Sequence, residues 1–209
     1  MTPGGVYAIT PDCANTQRLL AMSEAALRGG VAVMQYREKT GDVALRHEQA
    51  SELQGLCRRY GVPLVVNDDL RLADLLGADG VHLGRDDGSI REARIILGPG
   101  KLIGVSCYQD LGRAREAQKL GADYVAFGSF YSSPTKPGAS LANVSVLRMA
   151  SREIALPIVA IGGITVDNAG ALIDAGADAI AVISALFDAP DVEAAARQLN
   201  ALFEIESES

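Results

Sequence analysis

The sequence predicts an α/β fold, a single-domain (β/α)8 barrel, and three observations carry that prediction. Short apolar runs rich in β-forming residues recur eight times along the 209 residues. Segments of helical periodicity lie between them, and strand alternating with helix implies parallel pairing through right-handed crossovers. The third observation is a repeat: Gly29-Gly30-Val31-Ala32-Val33, Gly77-Ala78-Asp79-Gly80-Val81, Gly121-Ala122-Asp123-Tyr124-Val125 and Gly176-Ala177-Asp178-Ala179-Ile180. Each copy reads as a helix-terminating glycine followed by a strand. Its first glycines, at positions 29, 77, 121 and 176, advance by about two βα units per step, so four steps close eight units. An open doubly wound sheet would need a reversal of strand order that nothing in this pattern signals.

Taken in order, the predicted strands are 6–10, 31–35, 63–67, 80–83, 101–106, 124–127, 157–161 and 179–183. The helix-period segments are 16–28, 43–60, 89–97, 111–120, 142–151 and 166–175, and a final helix follows the last strand. The barrel is expected to occupy residues 1–203 as one catalytic domain of TIM-barrel type, a normal size for this architecture. Residues 204–209, Glu-Ile-Glu-Ser-Glu-Ser, form a short acidic tail expected to fray.

Composition excludes several classes of function. Apolar residues are 48% and charged residues 22%, an ordinary globular balance with no apolar stretch long enough to span a bilayer. The start, Met1-Thr2-Pro3-Gly4-Gly5, lacks the basic and apolar regions of a secretion signal, so a cytoplasmic location is the expectation. Cys13, Cys57 and Cys107 show no CxxC spacing and read as plain thiols, with Cys57 packed on a helix. A net charge of −7 argues against a nucleic-acid surface, which needs a basic footprint, so any anion site must be local. Small-molecule substrates are the expected partners, and self-association as a homo-oligomer is left open.

In such a barrel the catalytic groups collect where the strands end and the βα loops converge. After the second run come Gln35, Tyr36, Arg37, Glu38 and Lys39. If the strand continues through them, its period of two places Gln35, Arg37 and Lys39 on one face and Tyr36 and Glu38 on the other. Two cations on a buried face require an anionic partner, and a substrate phosphate or diphosphate suits a guanidinium fork beside a point charge. The alternative is a strand running into a loop with solvated charges.

The third and fourth runs end in Asn67-Asp68-Asp69 and Gly84-Arg85-Asp86-Asp87. Carboxylates from neighbouring strand ends beside phosphate are a usual way to hold Mg2+. One aspartate of each pair is expected to cap a helix or face solvent, which makes Asp68 and Asp87 the metal candidates. The sixth run leads into a long hydroxyl-rich loop, in which Ser133, Thr135 and Lys136 suit an anionic substrate group and the prolines limit the entropy of ordering. Gly162-Gly163 and Ile183-Ser184 end the last two runs, where phosphate sites recur in this fold. His47 is expected to be exposed on its helix. His82 can face the site, but no serine or cysteine nucleophile with an orienting partner accompanies it, so triad chemistry is not assigned.

Taken together and in order, Gln35-Tyr36-Arg37-Glu38-Lys39, Val66-Asn67-Asp68-Asp69, Gly80-Val81-His82-Leu83-Gly84, Gly104-Val105-Ser106, Pro134-Thr135-Lys136, Ala160-Ile161-Gly162-Gly163-Ile164 and Ile183-Ser184 resemble the thiamin phosphate synthase family. The resemblance runs from about Tyr7 to the final helix. It implies a Mg2+-dependent transfer of an aminopyrimidinylmethyl group from hydroxymethylpyrimidine diphosphate to the ring nitrogen of a thiazole phosphate or its carboxylated form. The products would be thiamin phosphate and pyrophosphate, formed by a dissociative substitution.

Carried over by position, the resemblance implies that Gln35, Tyr36, Arg37, Glu38, Lys39, Asn67, Ser106 and Lys136 hold the pyrimidine diphosphate. Arg37, Lys39, Ser106 and Lys136 would carry the catalytic work, and Asp68 and Asp87 the metal. Ser133, Pro134, Thr135, Gly163, Ile183 and Ser184 would bind the thiazole phosphate. Two positions depart from the family's usual pattern: Ser132 and Ser133 stand where proline and threonine are common, and Asp86 precedes Asp87 where glutamate precedes aspartate. The latter leaves the second metal ligand open between Asp86 and Asp87. Other readings are a barrel like the related thiazole tautomerase and a noncatalytic thiamin-precursor-binding protein.

Overall fold

A computed structural model describes residues 4–133, 138 and 140–204, and Pro134, Thr135, Lys136 and the tail from residue 205 lie outside it. The strands are β1 (Gly5–Ile9), β2 (Val33–Tyr36), β3 (Leu64–Asn67), β4 (Gly80–Leu83), β5 (Leu102–Tyr108), β6 (Tyr124–Gly128), β7 (Ile158–Ile161) and β8 (Ala179–Val182). The helices are α1 (Thr16–Arg28), α2 (Val43–Tyr60), α3 (Leu70–Leu76), α4 (Ile90–Leu97), α5 (Leu111–Lys119), α6 (Ser145–Glu153), α7 (Val166–Ile173), α8 (Ser184–Phe187) and α9 (Val192–Glu204). All eight strands pair in parallel and in sequence order, and β1 closes the barrel against β8 with Tyr7 opposite Ala181.

Three differences from the sequence reading have a local physical cause. Strand β2 starts at Val33, because the backbone of Ala32 is still pinned at the barrel floor by its N–H to Val6 C=O, 2.8 Å. Helix α3 lies outside the helical periods read in the sequence, where only the capping argument at Asp69 pointed to a helix; it starts where the Asp69 carboxylate accepts the Leu72 N–H at 2.9 Å. Helix α6 begins at Ser145, after a turn in which Asn143 Oδ1 takes the Ser145 N–H at 2.8 Å.

The repeat has a physical meaning at the N-terminal rim. Asp79, Asp123 and Asp178 each place a carboxylate oxygen on an N–H at the start of the preceding strand: Leu64 at 2.9 Å, Ile103 at 2.7 Å and Ile158 at 2.7 Å. Each also donates its own N–H to the carbonyl of that same residue. The aspartates thus satisfy strand-end donors that would otherwise be orphaned and lock the register of alternate strands.

Alternation along the strands separates two apolar layers. Outward side chains such as Val6, Met34, Val66, Val81 and Ile180 pack with the helices. Inward ones, among them Tyr7, Val33, Val65, Leu102, Tyr124 and Val159, fill the barrel. Gly104 is required here, since a Cβ on it would lie 2.0 Å from the Tyr124 ring. The missing side chain of β5 makes room for the large one of β6, and this puts a phenol at the centre of the barrel.

Candidate active site

A cavity of about 470 Å³ opens at the C-terminal rim, above the inward tyrosines. Gln35 and Arg37 line it from β2, Asn67 from β3, His82 from β4 and Ser106 from β5. On the opposite side it is lined by Ser132 and Ser133 after β6, Gly163 after β7, and Ile183 and Ser184 after β8. Val159, Ile161 and Ala181 supply apolar wall between the two. Most of the strand ends singled out in the sequence therefore converge on one space, whereas Lys39, Asp68 and Asp87 are not among its lining residues and adjoin it through Asn67, which donates to Asp68.

The alternation read at residues 35–39 persists although β2 itself ends at Tyr36. Thr10, buried after β1, extends the pairing with its side chain. Its Oγ1 accepts the Arg37 N–H at 2.9 Å and donates to Arg37 C=O at 3.1 Å. Gln35 and Arg37 thereby face the cavity. Tyr36 and Glu38, grouped with them by the resemblance, point the other way. Tyr36 donates to Gln49 Oε1 at 3.1 Å in the strand–helix layer, and the Glu38 carboxylate folds back onto the Thr40 N–H. They support the segment from behind and do not touch the cavity. Lys39 reaches along the rim to an ion pair with Asp68. Asp12 holds both cationic residues: Oδ2 takes Arg37 Nη1 at 3.0 Å and Oδ1 takes the Lys39 backbone N–H at 2.8 Å.

The acidic groups separate as the helix-capping argument requires. Asp69 caps α3 and Asp86 is exposed, whereas Asp68 and Asp87 stand within hydrogen-bonding reach of each other. Asp68 adopts a left-handed backbone, φ 63°, and accepts Asn67 Nδ2 at 2.7 Å. Asp87 Oδ2 accepts the Gly84 N–H at 2.9 Å. Burial works to raise the Asp68 carboxyl, but the hydrogen bonds with Lys39 and Asp87 and the Lys39 charge outweigh it and hold it below the usual range. At Asp87 burial, then the hydrogen bond and charge of Asp68, push the carboxyl up. Two carboxylates this close repel unless a proton or a cation lies between them. Oxygen donors in that arrangement fit a hard divalent cation completed by phosphate oxygens and water.

Arg113 on α5 ties the two halves of this rim together. Its Nε donates to Ser106 C=O at 2.7 Å and its Nη2 to Gly84 C=O at 2.8 Å, so one planar fork fixes the ends of β4 and β5. Just beyond, a register shift between Ser106 and Tyr108 turns Tyr108 to φ 58° at the cavity mouth, under the Arg85 guanidinium at 5.0 Å.

The floor of the cavity is a chain of hydrogen bonds. Gln35 Nε2 donates to the Tyr7 hydroxyl at 2.8 Å, the Tyr7 and Tyr124 hydroxyls lie 2.7 Å apart, and Tyr124 meets His82 Nδ1 at 3.0 Å. His82 Nε2 lies 2.9 Å from Ser106 Oγ. Burial raises the Tyr7 and Tyr124 hydroxyls well above the ordinary phenol range, so both keep their protons. Tyr7, Tyr124 and Asp12 were not singled out in the sequence. An inward tyrosine on an apolar strand reads as core, and a lone aspartate past a strand belongs to no motif. Pro134, Thr135 and Lys136 fall outside the described residues.

The chain has full-length relatives among known proteins. A profile of the thiamine monophosphate synthase family matches residues 6–186. A thiamine-phosphate synthase of Thiobacillus denitrificans is 72% identical over 206 residues, 99% of this chain and 98% of the relative. One of Methylobacillus flagellatus is 56% identical over 199 residues, 95% of each chain. Among solved structures, thiamine phosphate pyrophosphorylase from Pyrococcus furiosus has a TM-score of 0.86 at 35% identity and covers 98% of this chain and 97% of its own. With a family profile spanning most of the barrel and full-length relatives this similar, the chain belongs to the thiamine monophosphate synthase family.

Proposed function

We propose that the cavity joins hydroxymethylpyrimidine diphosphate to a thiazole phosphate, releasing pyrophosphate and forming thiamin phosphate. The observation that carries this reading is the division of one cavity into two polar ends. Arg37, Asn67 and the Lys39–Asp68–Asp87 rim lie at one end, and Ser133, Gly163 and Ser184 at the other. The cationic and acidic end suits a diphosphate with its metal, and the hydroxyl and glycine end suits a monophosphate. A thiazole tautomerase or a passive binder would have no use for the first.

Asp68 and Asp87 are the residues that would hold Mg2+. Bound there, Mg2+ would neutralise charge on the diphosphate oxygens as the carbon–oxygen bond lengthens. The Arg37 guanidinium and the Lys39 ammonium act on the same developing charge, and Lys136 is assigned with them from the resemblance. Gln35 and Ser106 hold the pyrimidine ring at the cavity floor. Breaking the bond leaves its electron pair on pyrophosphate and a cation at the pyrimidine methylene carbon. The lone pair of the neutral thiazole nitrogen then forms the new carbon–nitrogen bond. No proton has to be removed, so the step needs no general base. The apolar wall of Val159, Ile161 and Ala181 keeps water away from the cation.

The test is to incubate the purified protein with both phosphorylated precursors, with Mg2+ and with a chelator, and to quantify thiamin phosphate and pyrophosphate. Equal amounts of both products in the presence of Mg2+ support the reading. Binding without turnover, or conversion of the thiazole alone, refutes it.

A further inference from the structure

Resting on that reading, we propose that the buried chain Gln35–Tyr7–Tyr124–His82–Ser106 sets the hydrogen-bond polarity of the cavity, so that it accepts a 4-aminopyrimidine and rejects the 4-oxo counterpart. Tyr7, Tyr124 and His82 act in this as positioning residues. Gln35 is 3% exposed, and its Nε2 can only donate. That nitrogen is directed at the Tyr7 hydroxyl, 2.8 Å away. Tyr7 and Tyr124 are 1% and 0% exposed, and each hydroxyl has one proton to give. Having accepted from Gln35, Tyr7 donates to Tyr124 across 2.7 Å, and Tyr124 donates onward to His82 Nδ1 at 3.0 Å.

A nitrogen that accepts carries no proton, so the imidazole bears its hydrogen on Nε2 and donates it to Ser106 Oγ at 2.9 Å. Two groups at the ends of the chain are then turned to the cavity: the Gln35 carbonyl oxygen as an acceptor and the Ser106 hydroxyl as a donor. An exocyclic amino group and a bare ring nitrogen complement that pair. A 4-oxo ring offers a carbonyl and a ring N–H, the reverse of both. Reversing the cavity would require all five members to turn together, because each interior link has a single proton to share. Selectivity at the two ends is therefore set by the direction in which protons lie along the cavity floor.

The test has two arms. The first records 15N shifts of histidine-labelled protein, and His47→Gln leaves the His82 signals alone in the spectrum. The expected result is a protonated Nε2 and a bare Nδ1. A protonated Nδ1, or protons on both nitrogens, overturns the proposal without reference to activity. The second arm compares kcat/KM for the 4-amino and 4-oxo pyrimidine diphosphates in the native protein, Tyr7→Phe and Tyr124→Phe. The native protein should favour the amino substrate, and each variant should lose about three- to tenfold of that preference with the KM for thiazole phosphate unchanged. Preference retained in both variants overturns the proposal. Should a variant fail to fold, the tautomer of the native protein still decides. A native protein inactive with both pyrimidines would sink the proposed function while leaving the first arm standing.

Discussion

Arg37 Nη1 donates to Asp12 Oδ2 at 3.0 Å, and this pair orders the segment that carries the candidate diphosphate cations. Because the other Asp12 oxygen holds the Lys39 N–H, one carboxylate positions two residues. The Asp12 side chain is 41% exposed, so its worth to global stability is small. Asp12→Ala should therefore leave the melting temperature nearly unchanged and raise KM for the pyrimidine diphosphate about three- to tenfold, as expected for loss of charge-assisted positioning. Thermal melts and kinetics on the same variant check both halves.

Asp68 and Asp87 face each other while Asp86 is exposed. Asp68→Ala and Asp87→Ala should each reduce thiamin phosphate formation more than tenfold and shift the Mg2+ titration to higher concentration. Asp86→Ala should behave as the native protein. A silent Asp87→Ala beside a damaging Asp86→Ala would move the second ligand by one residue.

Gly163 was read in the sequence as a place where backbone approaches phosphate. It has φ 61°, and a Cβ there would lie 2.4 Å from Ser132 C=O and 2.8 Å from the Tyr131 Cβ. Its space is thus taken by the loop after β6. Gly163→Val should displace that loop along with Ser133, lowering stability as well as weakening use of thiazole phosphate. A variant with native stability and only a thiazole phosphate defect would show that the loop gives way at no cost.

Burial pushes the Cys57 and Cys107 thiols up to about 12, against about 8.5 for an unfolded cysteine. A thiol whose folded value is raised favours the folded state only while the unfolded chain also keeps its proton. Their contribution is full below about pH 8.5 and is lost as pH rises toward about 12. Denaturant midpoints should fall across that window. At pH near 8, Cys13, which is half-buried, should react with a thiol reagent long before the other two. Simultaneous labelling of all three in the folded protein would contradict the burial argument.

Much of the barrel was legible because Val- and Ile-rich runs alternate with helical periods, and because the glycine–alanine–aspartate repeat recurs at every second unit. The carboxylates at Asp79, Asp123 and Asp178 act across strands, however, and a linear pattern does not display what they touch. Helix α3 showed no period because seven residues hold too few turns, and only the cap at Asp69 pointed to it. The strand-end cations and Asp68 stood out as charges beside apolar runs. Tyr7 and Tyr124 did not, since only closing the barrel brings residues from β1 and β6 to 2.7 Å. Arg113 was hidden for the same reason: its role depends on two carbonyls from different strands.

The central claim is that one cavity holds two substrates at opposite polar ends, and apparent KM for each substrate in Arg37→Ala and Ser184→Ala tests it most directly. Arg37→Ala removes a charge-assisted contact worth about 1.5–3 kcal/mol, so KM for the pyrimidine diphosphate should rise roughly ten- to a hundredfold while that for thiazole phosphate holds. Ser184→Ala should weaken thiazole phosphate and spare the diphosphate. Equal losses for both substrates in both variants would contradict the division of the cavity.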